Sequence, residues 1–248
     1  MADQLPPHHR GEKFVQALFD RIARRYDLLN RVISFHLDTR WREKAVRAAI
    51  RTSDRLILDV GTGTGDLALT AAPTANKPGG TIIGLDLSLQ MLRRAREKSR
   101  RRSAHATRFV LGSALAVPFK DERFDVVMTA FALRNIPDLP LFFRQANRAL
   151  RAGGRLVTLD MFPPPDSIFA RLYALYFYRL VPWIGAGIAR ERGAYQYLSD
   201  SVRTFATPEA IAELIRSAGF RSVAVQKFFC GAVCLHTAEK PEPLQPPG

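Results

Sequence analysis

The chain contains little cysteine and no uninterrupted apolar run long enough to cross a bilayer. Its two cysteines, Cys230 and Cys234, are too few for a disulfide framework and lack the second pair that a zinc site needs, which favours a reducing compartment. The most apolar stretch, residues 168–189, is broken by two arginines and a proline, and residues 1–10 lack a signal-peptide pattern. We therefore expect a cytoplasmic protein without a transmembrane helix.

Acidic residues and lysine are also scarce. Lysine and arginine together number 37 against 23 acidic residues, a net charge of +14, which is typical of proteins that contact nucleic acid or anionic membranes. Only 7 of these cations are lysine, and a skew toward arginine also arises from a GC-rich coding sequence. Half of the excess lies in residues 93–108, which hold eight cations and one acid. Charge alone leaves the partner open.

The composition predicts one globular domain. Hydrophobic residues make up 47% of the 248 positions and charged residues 24%, enough apolar surface for a full core. We expect flexible tails at 1–10 and 241–248 and a single domain between them, over 11–240. Its first part, 11–53, has helical periodicity and forms an N-terminal cap, in which Asp38 is expected to be the N-cap of the second helix.

The rest of the chain alternates between short apolar runs and amphipathic helices. This order predicts an α/β, Rossmann-like fold, in which helices cover both faces of a seven-stranded, mostly parallel sheet with an antiparallel edge strand. An aromatic-rich insert, 166–203, interrupts the alternation and is expected to form a helical lid. The expected strands are 55–60, 81–86, 109–111, 124–133 and 155–161, followed by an antiparallel pair at 223–228 and 232–236.

A glycine-rich loop follows the first strand. The sequence from Asp59 to Asp66, DVGTGTGD, places glycines at alternate positions before a helix, which lets a ligand approach the backbone. The second strand ends in Asp86, the expected partner of ribose hydroxyls. NAD enzymes use G-x-G-x-x-G instead, and Asp66 would repel a pyrophosphate. An acid there suits S-adenosylmethionine, which has no phosphate and carries two cationic groups.

Further motifs complete a family resemblance. The glycine loop, Asp86, the stretch 117–125 and the stretch 148–157 resemble class I S-adenosylmethionine-dependent methyltransferases. The motifs YDLLN at 26–30, FALRN at 131–135 and YQYLSDS at 195–201 are similar to those of the UbiE/MenG-type ubiquinone/menaquinone biosynthesis C-methyltransferases. This resemblance covers residues 14–240.

The resemblance implies a set of cofactor-binding residues. Two of them depart from the family, because Ser113 stands where Asp or Asn is usual beside the adenine and Ala130 stands where Ser is frequent. The whole set is Asp59, Gly61, Gly63, Thr64, Gly65, Asp86, Leu87, Ser113, Ala114 and Ala130.

The resemblance also implies an acceptor site. Arg134 is expected to stabilise an oxyanion or organise a water that removes a proton, and Asn135 to orient the ring oxygen. Tyr26 is counted with them as catalytic, while Asn30 and Tyr197 bind substrate. From the residues alone, Arg134 and Asn135 could instead cap a loop, and both tyrosines could be ordinary core aromatics. The five histidines show no metal-ligand spacing, so no metal is expected.

These features predict C-methylation of a reduced prenylated quinone precursor, demethylmenaquinol or its ubiquinone-pathway counterpart. Alternatives are a methyltransferase for another small molecule, a nucleic-acid methyltransferase and an NAD-dependent reductase. Of these, nucleic acid is disfavoured because no Asn-Pro-Pro-Tyr-type motif follows the fourth strand. An anionic membrane surface is the expected partner, which makes the protein peripheral at the inner face of the membrane. The oligomeric state stays open, with a homodimer among the alternatives.

Overall fold

A seven-stranded sheet forms the centre of the computed structural model, which describes residues 11–164 and 192–242. The strands lie in the order β3-β2-β1-β4-β5-β7-β6. The strands are β1 (Leu56–Val60), β2 (Thr81–Asp86), β3 (Thr107–Leu111), β4 (Phe124–Ala130), β5 (Leu150–Met161), β6 (Arg221–Phe228) and β7 (Val233–Glu239). The helices are α1 (Glu12–Ile22), α2 (Tyr26–Ile33), α3 (Leu37–Ala49), α4 (Asp66–Ala71), α5 (Leu89–Arg101), α6 (Leu139–Ala149), α7 (Arg192–Arg203) and α8 (Pro208–Ser217).

The strand order reverses between β1 and β4. Both strands are parallel to their neighbours, and Leu58 of β1 lies opposite Val127 of β4. In open α/β sheets the crevice at the carboxyl ends of such a strand pair is the usual ligand site. The fold therefore places the glycine loop after β1 and the segment after β4 at the same crevice.

The predicted antiparallel pair lies at the other side of the sheet. Strand β7 lies between β5 and the edge strand β6, and it runs antiparallel to both of them. Its pairing with β5 extends from Arg155 opposite Glu239 to Met161 opposite Val233. The prediction of a mostly parallel sheet with an antiparallel pair at the edge is confirmed.

Apolar side chains fill both faces of the sheet. Ile57 of β1 packs in one core cluster with α3, α4 and α5, whereas its neighbour Leu58 packs in a second cluster with α6 and α8. Both side chains are fully buried. This two-sided burial explains why the strands read as continuous apolar runs instead of alternating patterns.

The helical cap differs from expectation at Asp38. Three helices, α1 to α3, occupy the predicted cap, and the residue before α3 is His36, whose φ is +62°. Asp38 lies inside the first turn, where it is buried, accepts a hydrogen bond from Ser34 Oγ at 2.9 Å and pairs with Arg42. The prediction of Asp38 as N-cap is wrong, because a buried ion pair takes up its carboxylate.

The predicted lid insert falls mostly outside the described residues, as do the tail at 1–10 and all of the tail at 241–248 except residues 241–242. Its last part is described as α7, which carries Tyr197. The division into cap, lid and tails stays a prediction. Within 11–164 and 192–242, no helix is long and apolar enough to span a membrane.

Candidate active site

A cavity opens at the carboxyl ends of β1, β2 and β4, beneath α1. Its walls include Val15, Gln16 and Phe19 of α1, which the sequence analysis did not assign to the site. The apolar spacing of Val15 and Phe19 predicted a helix, but it did not indicate what the apolar face of that helix covers. Eight of the ten predicted cofactor residues line this cavity, namely Asp59, Gly61, Gly63, Thr64, Asp86, Leu87, Ala114 and Ala130.

The glycine loop is held in a conformation that needs glycine. Gly61 has a φ of +67°, and a Cβ placed on it would lie 2.6 Å from Cβ of Ala132. The Gly63 N–H donates to Oδ2 of Asp86 at 2.7 Å, and Ser88 N–H donates to Oδ1 at 2.8 Å. Burial raises the pKa of Asp86, and these two hydrogen bonds oppose that shift. Asp86 thus fixes the loop and also faces the cavity.

Asp59 presents a carboxyl oxygen that needs a cation or donor. Its Oδ2 accepts hydrogen bonds from Thr62 Oγ1 at 2.6 Å and from the Ala68 N–H at 3.1 Å. Its Oδ1 is buried and has no hydrogen-bond partner among the described residues. Burial raises the pKa of Asp59 to about 7. An orphaned carboxyl oxygen in this cavity fits the ammonium group of the expected cofactor.

Asp66 is neutralised from within the protein. Lys98 of α5 forms ion pairs with Asp66 and, at 2.7 Å, with Asp27. Burial raises the pKa of Asp66, but the nearby cations Arg42 and Lys98 outweigh it and bring the pKa below its usual range. The sequence analysis assigned this acid to a cationic ligand, whereas the structure gives it a lysine partner.

Two predicted cofactor residues, Ser113 and Gly65, are not among the residues that line the cavity. Ser113 bonds through its hydroxyl to the Glu12 carboxylate and accepts a hydrogen bond from Leu115 N–H at 2.9 Å. Gly65 has a φ of +83° and packs against Ala95, where a Cβ would come within 3.0 Å. Their contribution to cofactor binding stays a prediction.

A second cavity adjoins the first. It is bounded mainly by apolar side chains, including Ile33, Trp41 and Met161. Arg42 and Phe131 line both cavities, and the Arg42 guanidinium carbon lies 4.9 Å from the centre of the Phe131 ring. These two side chains therefore mark the boundary where ligands in the two cavities would meet.

Arg134 faces the second cavity as half of a buried ion pair. Its partner is Asp160 at the end of β5, which also accepts a hydrogen bond from Leu133 N–H at 2.8 Å. Arg134 Nε is buried and has no hydrogen-bond partner within the described part of the chain. The sequence analysis missed Asp160, although an acid inside the apolar run LVTLDM was a usable signal.

The remaining acceptor residues converge at the same boundary. Asn135 and Tyr26 line the first cavity, whereas Asn30 lines the second. Asn135 Oδ1 accepts a hydrogen bond from the buried Tyr197 hydroxyl at 3.2 Å. Burial raises the pKa of Tyr26, while a hydrogen bond with Asn30 and the positive charge of Arg134 lower it.

Arg42 is the main residue that the sequence analysis missed. It lies on α3, is 5% exposed and pairs with Asp38. Arg42 and Asp59 line the same cavity, and the charge of Arg42 lowers the pKa of the Asp59 carboxyl, which burial raises. The two side chains offer opposite charges to one cavity. No sequence signal distinguished Arg42 from the other 29 arginines.

Comparisons with known proteins show similarity over most of the chain. The chain is 42% identical to a demethylmenaquinone methyltransferase of Thermus thermophilus over 224 residues, which cover 90% of this chain and 100% of that protein. It is 40% identical to a ubiquinone/menaquinone biosynthesis C-methyltransferase UbiE of Geobacter sulfurreducens, with 93% and 90% of the two chains covered.

The fold matches solved methyltransferases at low sequence identity. A phosphoethanolamine N-methyltransferase of Haemonchus contortus in complex with S-adenosylhomocysteine has a TM-score of 0.56 at 19% identity, covering 79% of this chain and 51% of that chain. The model of the ubiE/COQ5 methyltransferase family matches residues 8–240. This match and the identities above confirm the resemblance found in the motifs: the chain belongs to the ubiE/COQ5 methyltransferase family.

Proposed function

We propose that the protein transfers a methyl group from S-adenosylmethionine to a ring carbon of a reduced prenylated quinone precursor, demethylmenaquinol or its ubiquinone-pathway counterpart. The observation that carries the proposal is the pair of adjoining cavities that share Arg42 and Phe131. One cavity has the polar groups for the cofactor, and the other has an apolar lining with a buried cation. Family membership and the names of the relatives support the same reaction.

The first cavity holds groups that match the ribose and the amino-acid end of the cofactor. Asp86 faces it with an acceptor for ribose hydroxyls. Asp59 and Arg42 offer opposite charges to the ammonium and carboxylate groups of its amino-acid end. When bound, the cofactor supplies an electrophilic sulfonium methyl group. The protein positions the two substrates, because methyl transfer needs the acceptor carbon in line with the bond between sulfur and the methyl carbon that breaks.

The second cavity supplies a cation and hydrogen-bonding groups for the acceptor. A hydroquinone ring becomes nucleophilic at carbon when a phenolic proton leaves, and negative charge then develops on its oxygen. Once the methyl group has bonded to the ring carbon and S-adenosylhomocysteine has left, that carbon loses its hydrogen as a proton and the ring becomes aromatic again. Arg134, held by Asp160, places a permanent cation at this cavity to stabilise that charge or to organise the water that takes the proton. Asn135, oriented by Tyr197, and Tyr26 fix the ring oxygen at the boundary.

The rim of the second cavity favours contact with a bilayer. Phe35 lines the cavity and is 65% exposed, and Leu28 on the neighbouring helix α2 is 54% exposed. Exposed Arg24 and Arg25 precede α2. Apolar side chains among cations suit the surface of an anionic membrane, from which a prenylated acceptor would enter. We therefore include peripheral membrane association in the proposal.

The reaction is tested by incubating the purified protein with methyl-labelled S-adenosylmethionine and a short-chain demethylmenaquinol. We expect label in the quinol ring. Arg134→Met/Asp160→Asn, which removes both charges of the buried pair, should lower kcat by at least about 100-fold and leave S-adenosylhomocysteine affinity within about threefold. Label transfer at the wild-type rate in this variant would contradict the role of Arg134. A folded wild-type protein that binds cofactor but labels no quinol would favour another small-molecule acceptor.

Membrane association is tested by sedimentation with vesicles. Binding to phosphatidylglycerol vesicles should exceed binding to phosphatidylcholine vesicles and should fall in 0.5 M salt, because exposed charges are screened. Leu28→Ser/Phe35→Ser should weaken binding, whereas Leu111→Ser, at a site 53% exposed outside both cavities, should not. Equal vesicle binding by both variants would contradict the role of this surface in membrane association.

The homodimer stays a prediction, and light scattering of the purified protein checks it.

A further inference from the structure

Lys98 belongs to the basic segment 93–108, yet its side chain points toward the site. It is 16% exposed, and its ammonium group contacts three polar side chains. Nζ lies 2.7 Å from Oδ2 of Asp27 and 3.1 Å from Oγ1 of Thr64, and it forms an ion pair with Asp66. The charge of this lysine is therefore used inside the protein.

The three partners of Lys98 come from different parts of the site. Thr64 belongs to the glycine loop, and Asp66 begins the helix that follows it. Asp27 lies on α2, directly after Tyr26, and accepts a second hydrogen bond from the Thr64 hydroxyl. One cluster thus fastens the helix that carries Tyr26 and Asn30 to the loop of the cofactor cavity.

The electrostatics make Lys98 the centre of this cluster. Asp27 and Asp66 are 25% and 16% exposed, so their mutual repulsion is only partly screened by water. The ammonium group between them turns this repulsion into attraction. Through the Lys98 ammonium group, the glycine loop and the helix after it are therefore connected to α2.

We propose that Lys98 is a positioning residue that couples cofactor binding to acceptor binding. A cofactor that orders the loop also orders Thr64, and the cluster then holds α2 in the position that presents Tyr26 and Asn30 to the acceptor. By thermodynamic reciprocity, the acceptor strengthens cofactor binding by the same factor. The inference rests on the proposed function, because it assigns the acceptor to the second cavity.

The test measures the affinity of S-adenosylhomocysteine by calorimetry with and without saturating 4-methoxy-1-naphthol, a naphthol whose methyl ether blocks oxidation to the quinone. In the wild type we expect the naphthol to tighten binding about tenfold. Asp27→Asn keeps the ion pair between Lys98 and Asp66, so it should fold and bind S-adenosylhomocysteine alone within about threefold of the wild type. Its coupling factor should fall below about twofold.

Two further variants complete the design. Lys98→Met should lose the coupling as Asp27→Asn does, and thermal unfolding shows whether it folds. Arg100→Met removes an exposed cation from the same helix and should keep the tenfold coupling.

The outcomes separate this inference from the proposed function. Two results overturn the role of Lys98 and leave the proposed function standing. One is full coupling in a folded Asp27→Asn protein. The other is a wild type that methylates demethylmenaquinol yet binds the two ligands independently. A wild type that methylates no demethylmenaquinol and binds no naphthol overturns the proposed function, and the inference falls with it.

Discussion

The buried carboxyl group of Asp59 links protonation, stability and cofactor binding. Its ordinary pKa of 3.8 in an unfolded chain is raised to about 7 by burial in the folded protein. Between these values the folded state carries a proton that the unfolded state has lost. The contribution of Asp59 to stability therefore falls as pH rises from about 4 to about 7 and changes little above that.

Cofactor binding should show the opposite dependence. In the proposed complex the ammonium group pairs with ionised Asp59, so binding below pH 7 must first remove a proton. We expect the affinity for S-adenosylhomocysteine to rise between pH 6 and pH 8, as measured by calorimetry. Asp59→Asn should bind more weakly and with a flatter pH profile. An unchanged slope in that variant would show that another group titrates.

Arg42 should recognise the carboxylate of the cofactor. The prediction compares S-adenosylhomocysteine with 5′-methylthioadenosine, which lacks the amino-acid end. Arg42→Met/Asp38→Asn removes both charges of the buried pair and should reduce the preference for S-adenosylhomocysteine at least tenfold, since a charge-assisted hydrogen bond contributes about 1.5–3 kcal/mol. Arg47→Met, at a side chain 79% exposed on the same helix, is the control. An unchanged preference would contradict this role of Arg42.

At the scale of elements, the position of Arg134 and Asn135 depends on where strand β4 ends. Strand β4 was expected to reach residue 133, but it ends at Ala130. Phe131 then adopts a φ of +60°, and a short 3-10 helix, Leu133–Asn135, begins. This turn brings Arg134 and Asn135 to the boundary of the two cavities. The apolar sequence FAL concealed the turn, because tertiary contacts and not local propensity set the backbone there.

The glycine loop should tolerate no side chain at Gly61. Gly61→Ala combines left-handed strain of about 1–2 kcal/mol with a clash against Ala132, so it should lower both stability and S-adenosylhomocysteine affinity. Gly79→Ala is a matched control, because Gly79 also has a positive φ of +77° but nothing within 4 Å of the added Cβ. Equal losses of stability in both variants, measured by urea unfolding, would exclude the clash as a cause.

At the scale of the whole molecule, a buried ion pair joins strand β5 to the segment between α3 and β1. Arg155 of β5 pairs with the fully buried Asp54, and its Nε donates to the carbonyl oxygen of Ala49 at 3.0 Å. The pair fixes the end of α3 beside the central strands. It lies outside both cavities and therefore serves stability.

Breaking this pair should destabilise the fold without changing the site. Arg155→Met leaves Asp54 buried and unpaired, which should lower the free energy of unfolding by about 3–5 kcal/mol. Arg51→Met breaks an exposed pair with Glu239, 60% and 43% exposed, and should cost less than about 1 kcal/mol. Urea denaturation compares the two. Similar losses of unfolding free energy in the two variants would mean that burial of an ion pair does not determine how much its removal destabilises the protein.

The basic segment shows what charge counting cannot resolve. Its arginines at 93, 100, 101 and 102 are exposed, whereas Lys98 pairs with two acids from other elements. Composition treats these cations as equal. Only the packing of α5 against the glycine loop and α2 separates the cation of the site from those of the surface.

The sequence by itself determined the order of strands and helices, the glycine loop and Asp86, because periodicity and turn chemistry are local properties of the chain. It also carried the family motifs that named Arg134, Asn135 and Tyr26. Only the tertiary structure decided the partners Asp160, Asp38 and Lys98 and the place of Arg42 between two cavities. Those contacts join residues of separate elements or depend on burial, and the free energy of a buried charge is set by what the fold places beside it.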